Sequence, residues 1–264
     1  VLLAGSFGAY LSPASAVRIG LVPRLALPRI VVFTGAGIST ESGVPDFRSP
    51  GGIWTRYSPV YFDEFVSSEE ARVRYWKMKR ETHDLYKNVE PNIGHHSIAA
   101  FENRGQLLGL ITQNVDGLHG LASVSPAKMV ELHGTDRKVT CLSCGKEFDP
   151  QPIYERLKEE IIPSPCDGCG GLLKPATVSF GQAMPPEAMK RAQDWSEAAE
   201  VFVVVGSSLV VHPAASFPVI AKQSGAFLAI INREATPLDS LADFNYRGAI
   251  GEFFGKLNPL LSDG

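Results

Sequence analysis

Five clusters of small and polar residues each stand at the end of an apolar run. Thr34-Gly35-Ala36-Gly37-Ile38-Ser39-Thr40 follows the run IVVF at 30–33. A strand entering a Gly-x-Gly turn places backbone N–H groups where a pyrophosphate can sit, and small residues let the backbone come close. Thr40 stands where a full dinucleotide fingerprint has its third glycine, so a plain tight turn is the competing reading. Thr112-Gln113-Asn114-Val115-Asp116 closes the run at 107–112, and in open α/β sheets ligands bind at that edge. A helix N-cap explains one of its polar residues, Asn114 or Asp116, and leaves the others unexplained. His133, in Glu131-Leu132-His133-Gly134, is either a structural histidine or a general base, the work a neutral imidazole does near pH 7. Gly206-Ser207-Ser208 follows VFVVV at 201–205, and Asn232 follows FLAII at 227–231. Several strand ends aimed at one ligand favour a dinucleotide site.

The four cysteines form two C-x-x-C pairs, Cys141/Cys144 and Cys166/Cys169, with 21 residues between them. Two disulfides are the alternative, but four cysteines in one stretch of a 264-residue chain do not make a disulfide-dense small domain. The spacing is that of a zinc ribbon.

The elements that must position these residues follow from pattern. The apolar runs at 30–33, 107–112, 129–132, 201–205 and 227–231 suit buried parallel strands. Between them, 69–86 reads as a helix with acidic residues first and basic ones later, and 213–222 as a helix opening on Pro213. Alternating strands and helices predict an α/β fold, a doubly wound parallel sheet spanning 30–136 and 175–264. The order breaks at 137–174, which holds the cysteines and one helical pattern at 153–161 and reads as a small inserted zinc-ribbon module. The chain is 44% hydrophobic and 20% charged with a net charge of −3. Nothing there points to a direct nucleic-acid partner, and no apolar run reaches the roughly 18 residues of a membrane span. Residues 1–29 carry Arg18, Arg24 and Arg29 and no acid, and read as a leader or a non-native segment.

Taken together, Gly35–Thr40, ESGVPDFR at 41–48, TQNVD at 112–116, ELHG at 131–134, the C-x-x-C pairs and VVGSSLVV at 204–211 resemble the sirtuins. The resemblance runs from about residue 30 to the C-terminus, and ESGVPDFRS with VRYWKMK is most similar to the class II branch of bacterial and mitochondrial members. It implies an enzyme that uses NAD as co-substrate to deacylate protein lysines, with NAD and the acyl-lysine entering a cleft between a Rossmann domain and a small domain. Residues 48–95 would add the cofactor loop and helices to that small domain. By motif, Gly35, Ala36, Gly37, Gly206, Ser207, Ser208 and Asn232 would hold the dinucleotide. Ser39, Asn114 and Asp116 would surround the nicotinamide and its ribose, with Asn114 and Asp116 counted as catalytic. Phe47 would shield the reactive face, Arg48 would sit near the phosphates or ribose, and Gln113 would bond ribose hydroxyls. His133 would be the general base. Val178, Phe180 and Gly181, with Val210, Val211 and His212, would clamp the substrate peptide as an added strand. Cys141, Cys144, Cys166 and Cys169 would hold one structural zinc ion (Zn2+) whose closed shell leaves no water site.

The implied chemistry is attack of the acyl oxygen on the anomeric carbon of the ribose as nicotinamide leaves. His133 then deprotonates a ribose hydroxyl, which attacks the imidate, and water completes the reaction to give free lysine, nicotinamide and O-acyl-ADP-ribose. Mono-ADP-ribosyl transfer and a non-catalytic NAD sensor are the alternatives, and intact His133, Asn114 and Asp116 favour deacylation. Two departures stand out. Ser12–Pro28 holds three prolines where the family has a helix, and Gln182 follows Gly181 where many members have glutamate. The resemblance also puts Trp76 and Lys79 at the positions where the desuccinylase branch reads an acidic acyl group, predicting little preference for succinyl. A bacterial-type member is expected in the cytoplasm, or in mitochondria if 1–29 is a transit segment. Substrate identity and oligomeric state are left open.

Overall fold

The computed structural model describes residues 29–86 and 88–262, so the expectations for the N-terminal segment, Arg29 aside, lie outside the described residues. In chain order the regular elements are β1 (Ile30–Thr34), α1 (Phe62–Ser67), α2 (Glu69–Tyr86), α3 (Ile93–Asn103), β2 (Leu107–Thr112), α4 (Leu118–Leu121), β3 (Met129–Glu131), β4 (Gly134–Cys141), β5 (Glu147–Phe148), α5 (Pro150–Arg156), β6 (Leu173–Thr177), α6 (Pro186–Ala198), β7 (Val201–Val205), α7 (Phe217–Gln223), β8 (Phe227–Ile231), β9 (Phe244–Tyr246) and α8 (Ile250–Ser262).

Six strands form one sheet in the order β3-β2-β1-β7-β8-β9, and every pairing in it is parallel. The apolar runs become its strands because parallel strands are covered on both faces. Along β1 the side chains alternate: Val31 and Phe33 join one core layer with Phe202, Leu228 and Phe217, while Val32 joins the other with Leu110, Ile98 and Phe254. Helices α6 and α7 cover the first face and α3 and α8 the second. Truncating Phe33, which is fully buried, to alanine costs about 3–5 kcal/mol.

The small domain has its own core. Helices α1, α2 and α5 pack on the three-stranded sheet β5-β4-β6 through Phe65, Trp76, Val139, Ile153 and Leu173. Its sheet is antiparallel and runs from Gly134 to Thr177, wider than the 137–174 expected. The helix expected at 153–161 lies at Pro150–Arg156, where Asp149 caps Gln151 N at 2.9 Å and Pro150 takes the first position. The helix expected from Pro213 begins at Phe217, after a 3-10 turn at Ala214–Ser216.

Candidate active site

The ends of β1 and β7 interlock. Gly35 N donates to Val205 O at 3.1 Å and Gly37 N to Gly206 O at 2.9 Å. A Cβ on Gly37 would lie 2.8 Å from Gly206 O, and one on Gly206, whose φ is +64°, would run into the Ile38 backbone nitrogen. Both positions therefore require glycine. Beyond this turn lies a cavity of about 850 Å³. Gly35, Ala36, Gly37, Gly206, Ser207, Ser208 and Asn232 line it, as the strand-end pattern predicts, together with Phe47, Arg48, Gln113 and Asn114. Thr40, Glu41, Asp46, Arg233, Glu234 and Thr236 also line it; the first three fall in the motifs at 34–48, where the pattern assigns them no site role, and the last three, on the chain after β8, were missed. Asp46 shapes the cofactor loop by accepting from Arg48 N at 2.9 Å, Ser49 N at 2.8 Å and Ser49 Oγ at 2.6 Å. A bare glycine cradle opening on a cavity of this size fits a dinucleotide.

Ser39 and Asp116 do not line either cavity. They stand buried behind the wall: Ser39 Oγ donates to Asp116 Oδ2 at 2.7 Å and accepts from Asn114 Nδ2 at 3.1 Å. Asp116 Oδ1 takes Leu118 N at 2.9 Å. Their role here is to set the Asn114 amide, whose Nδ2 is spent inward, leaving Oδ1 for the cavity that Asn114 lines. Burial pushes the Asp116 carboxyl up, against bonds from Leu118 and Ser39 that pull it down.

A second cavity of about 270 Å³ runs between the two domains. Phe47, Arg48, Gln113, His133 and Val211 line both cavities, which therefore meet at His133. Val178, Phe180, Gly181 and His212 line the second, as expected, and Val178 N donates to His133 O at 2.8 Å. Val210 faces the cofactor cavity instead.

Trp76 is a correction. It is fully buried in the small-domain core against Tyr75 and Tyr154 and lines neither cavity. The residues of α2 on the cavity are Tyr75, Met78, Lys79, Thr82 and Tyr86, spaced by three and four as one helical face. That stripe was readable in the sequence; Trp76 is one position off it. Lys79 Nζ is bound to both oxygens of Asp136, at 2.8 and 2.9 Å. Burial works against its charge, but the Asp136 carboxylate prevails and keeps the ammonium protonated.

His133 Nδ1 lies 3.1 Å from Gln113 O. A carbonyl only accepts, so Nδ1 carries the proton and Nε2 keeps its lone pair. Burial lowers the imidazole pKa, the Gln113 carbonyl raises it, and the Arg48 charge lowers it further; the net shift is downward. His133 is thus neutral at pH 7.

The four cysteine sulfurs lie within 4.8 Å of one another, Cys141 and Cys169 at 3.5 Å and Cys144 and Cys166 at 3.8 Å. Four thiolates about 2.3 Å from one tetrahedral zinc would stand roughly 3.8 Å apart, so the cluster fits the ion. Ser143 N pointing at Cys141 Sγ, 3.4 Å away, supports a thiolate there. None of the four cysteines lines either cavity, and four thiolates would close the shell of the ion, as in a structural site.

The chain belongs to the Sir2 family, whose model matches residues 35–213. It is 46% identical over 226 residues to NAD-dependent protein deacetylase 1 of Bradyrhizobium diazoefficiens, covering 86% of this chain and 89% of that protein. It is 45% identical over 226 residues to an NAD-dependent protein deacetylase of Rhodopseudomonas palustris, with the same coverage of 86% and 89%. A solved structure described as Sir2 with p53 peptide and NAD+ matches with a TM-score of 0.81 at 34% identity, covering 89% of this chain and 94% of that one.

Proposed function

We propose that this protein is an NAD-dependent protein lysine deacylase that converts acyl-lysine, NAD and water to lysine, nicotinamide and O-acyl-ADP-ribose. The carrying observation is the meeting of a glycine-floored dinucleotide cavity and an interdomain channel at one neutral histidine, His133. Related Sir2 structures described with acetylated peptide, and with NAD and peptide together, support the pairing of these two ligands.

When bound, NAD supplies an electrophilic ribose carbon and a leaving nicotinamide. The glycines of the β1 and β7 turns would hold its phosphates by close backbone approach. Phe47, at the junction of the cavities and packed on Trp54 at 5.4 Å, excludes water from the reacting centre. Asn114 presents an amide oxygen fixed by Ser39. His133 Nε2 accepts a hydroxyl proton there, and the Gln113 carbonyl stabilises the imidazolium through Nδ1–H. The backbone of 178–181 and 210–212 offers strand partners to an extended peptide, and the channel takes its acyl-lysine. Among the described residues no helix is long and apolar enough to cross a membrane.

The test is incubation with an acetyl-lysine peptide and NAD, followed by mass spectrometry. Deacylated peptide, nicotinamide and O-acetyl-ADP-ribose in equal amounts are expected. ADP-ribosylated protein without deacylation would replace this reading with transfer; NAD binding without turnover would replace it with sensing.

A further inference from the structure

An aromatic series leads outward from the reacting centre. Phe47 packs on Trp54 at 5.4 Å, Trp54 on Phe180 at 6.1 Å, and Phe180 on Tyr61 at 5.9 Å. The first three line the interdomain channel, while Tyr61 stands just outside it. Tyr61 and Phe180 are held in place rather than loosely displayed: Phe62 N donates to Phe180 O at 2.9 Å, tying the start of α1 to the 178–181 loop. Yet Tyr61 is 52% exposed and Phe180 40%. Two large, partly exposed rings in contact beside a substrate channel offer an apolar surface that a bound ligand can cover.

The charge beside them identifies the occupant. Glu64 turns back so that its Oε2 accepts Tyr61 N at 3.2 Å, which ties a carboxylate to the backbone of Tyr61. Asp63 adds a second acid on the same turn of α1. Glu64 pairs with Arg74 at 3.9 Å, and both side chains are about half exposed, so that pairing is weak. A basic side chain seeks an aromatic face and a carboxylate within one reach.

We propose that Tyr61, Phe180 and Glu64 form a subsite for an arginine or lysine of the substrate that lies one or two residues from the acyl-lysine. This rests on the deacylase reading and names the sequence class the same site prefers. A peptide strand advances about 3.3 Å per residue, so a neighbouring side chain spans the step from the channel to Phe180 and Tyr61. Its cation lies over the rings with Glu64 at its end.

The experiment uses acetyl-lysine peptides alike except for Arg, Leu or Glu at the positions one and two residues to either side, with kcat/KM measured on the full chain at low and at moderate salt. A preference for Arg over Leu of about fivefold is expected at one of these positions, the size of an exposed cation–π contact helped by a carboxylate, and Glu should be the worst. Tyr61→Leu should bring the Arg/Leu ratio to about one, Tyr61→Phe should keep it, and Glu64→Gln should lower it and remove its salt dependence. The ratio is read within each variant, so a general loss of activity does not enter it. Equal kcat/KM for Arg and Leu in the wild type, or a ratio that survives Tyr61→Leu, overturns the subsite and leaves deacylation standing. No turnover of any peptide overturns the deacylase reading and the subsite with it.

Discussion

The proton on His133 Nδ1 points at the Gln113 carbonyl, 3.1 Å away, so the backbone of the loop after β2 selects the tautomer of a side chain from the loop after β3. The two strands pair in parallel, Thr112 opposite Glu131, which brings both loops out at the same edge of the sheet.

This contact sets a pH dependence. A base must be neutral, so kcat/KM falls as pH drops through its pKa in the free enzyme. Burial and Arg48 hold that pKa below the usual 6.5, so the acid limb should lie below pH 6.5 with little change between 7 and 8. Arg48→Met should move the limb upward, toward 6.5, whatever it does to the height of the profile. His133→Ala should lower deacylation about 10²–10⁴-fold and leave NAD affinity within a few fold. A limb that stays fixed in Arg48→Met would contradict the assigned electrostatics.

Along α2 the acyl group should meet a nearly neutral wall, because the Lys79 charge is committed to both oxygens of Asp136. Acetyl and longer apolar chains should therefore be turned over at least as well as succinyl, and a tenfold advantage for succinyl, about 1.4 kcal/mol, would contradict this. Asp136→Asn frees the ammonium and should raise the succinyl-to-acetyl ratio. Lys79→Met leaves a buried carboxylate alone and should cost about 3–5 kcal/mol in stability, read as a shift of the urea midpoint.

One zinc ion per chain is expected in metal analysis. Cys144→Ala should lose it and unfold the small domain while the parallel sheet keeps its own core, because metal binding and folding are coupled. Two thermal transitions in that variant, with activity lost, would agree; full activity in zinc-free protein would not.

Gly206→Ala should impair the dinucleotide site specifically. Its φ of +64° and the clash with Ile38 force the two glycine turns apart, so KM for NAD should rise tenfold or more with the peptide KM less affected. Isothermal titration with NAD checks it: wild-type affinity in the variant would mean the turns do not form the cradle.

Much of this was legible in the chain itself. The strands at 107–112, 201–205 and 227–231 and the helix at 69–86 fall where the patterns predict, because burial on both faces of a parallel sheet leaves an unbroken apolar signature and a long amphipathic helix repeats its period. The strand-end clusters marked the cofactor cavity because that edge is where the fold exposes loops, and the cysteine spacing marked the metal cluster. What the sequence determined by itself was therefore local: period, turn chemistry and ligand spacing. Tertiary structure decided the rest. It moved Trp76 into the core and put Tyr75 and Lys79 on the channel, since which side of α2 faces the cavity depends on how the helix seats against the small-domain sheet. It set Ser39 and Asp116 behind Asn114, and joined two cavities at His133, because contacts between residues 20 to 100 positions apart come from chain packing, which no local pattern records.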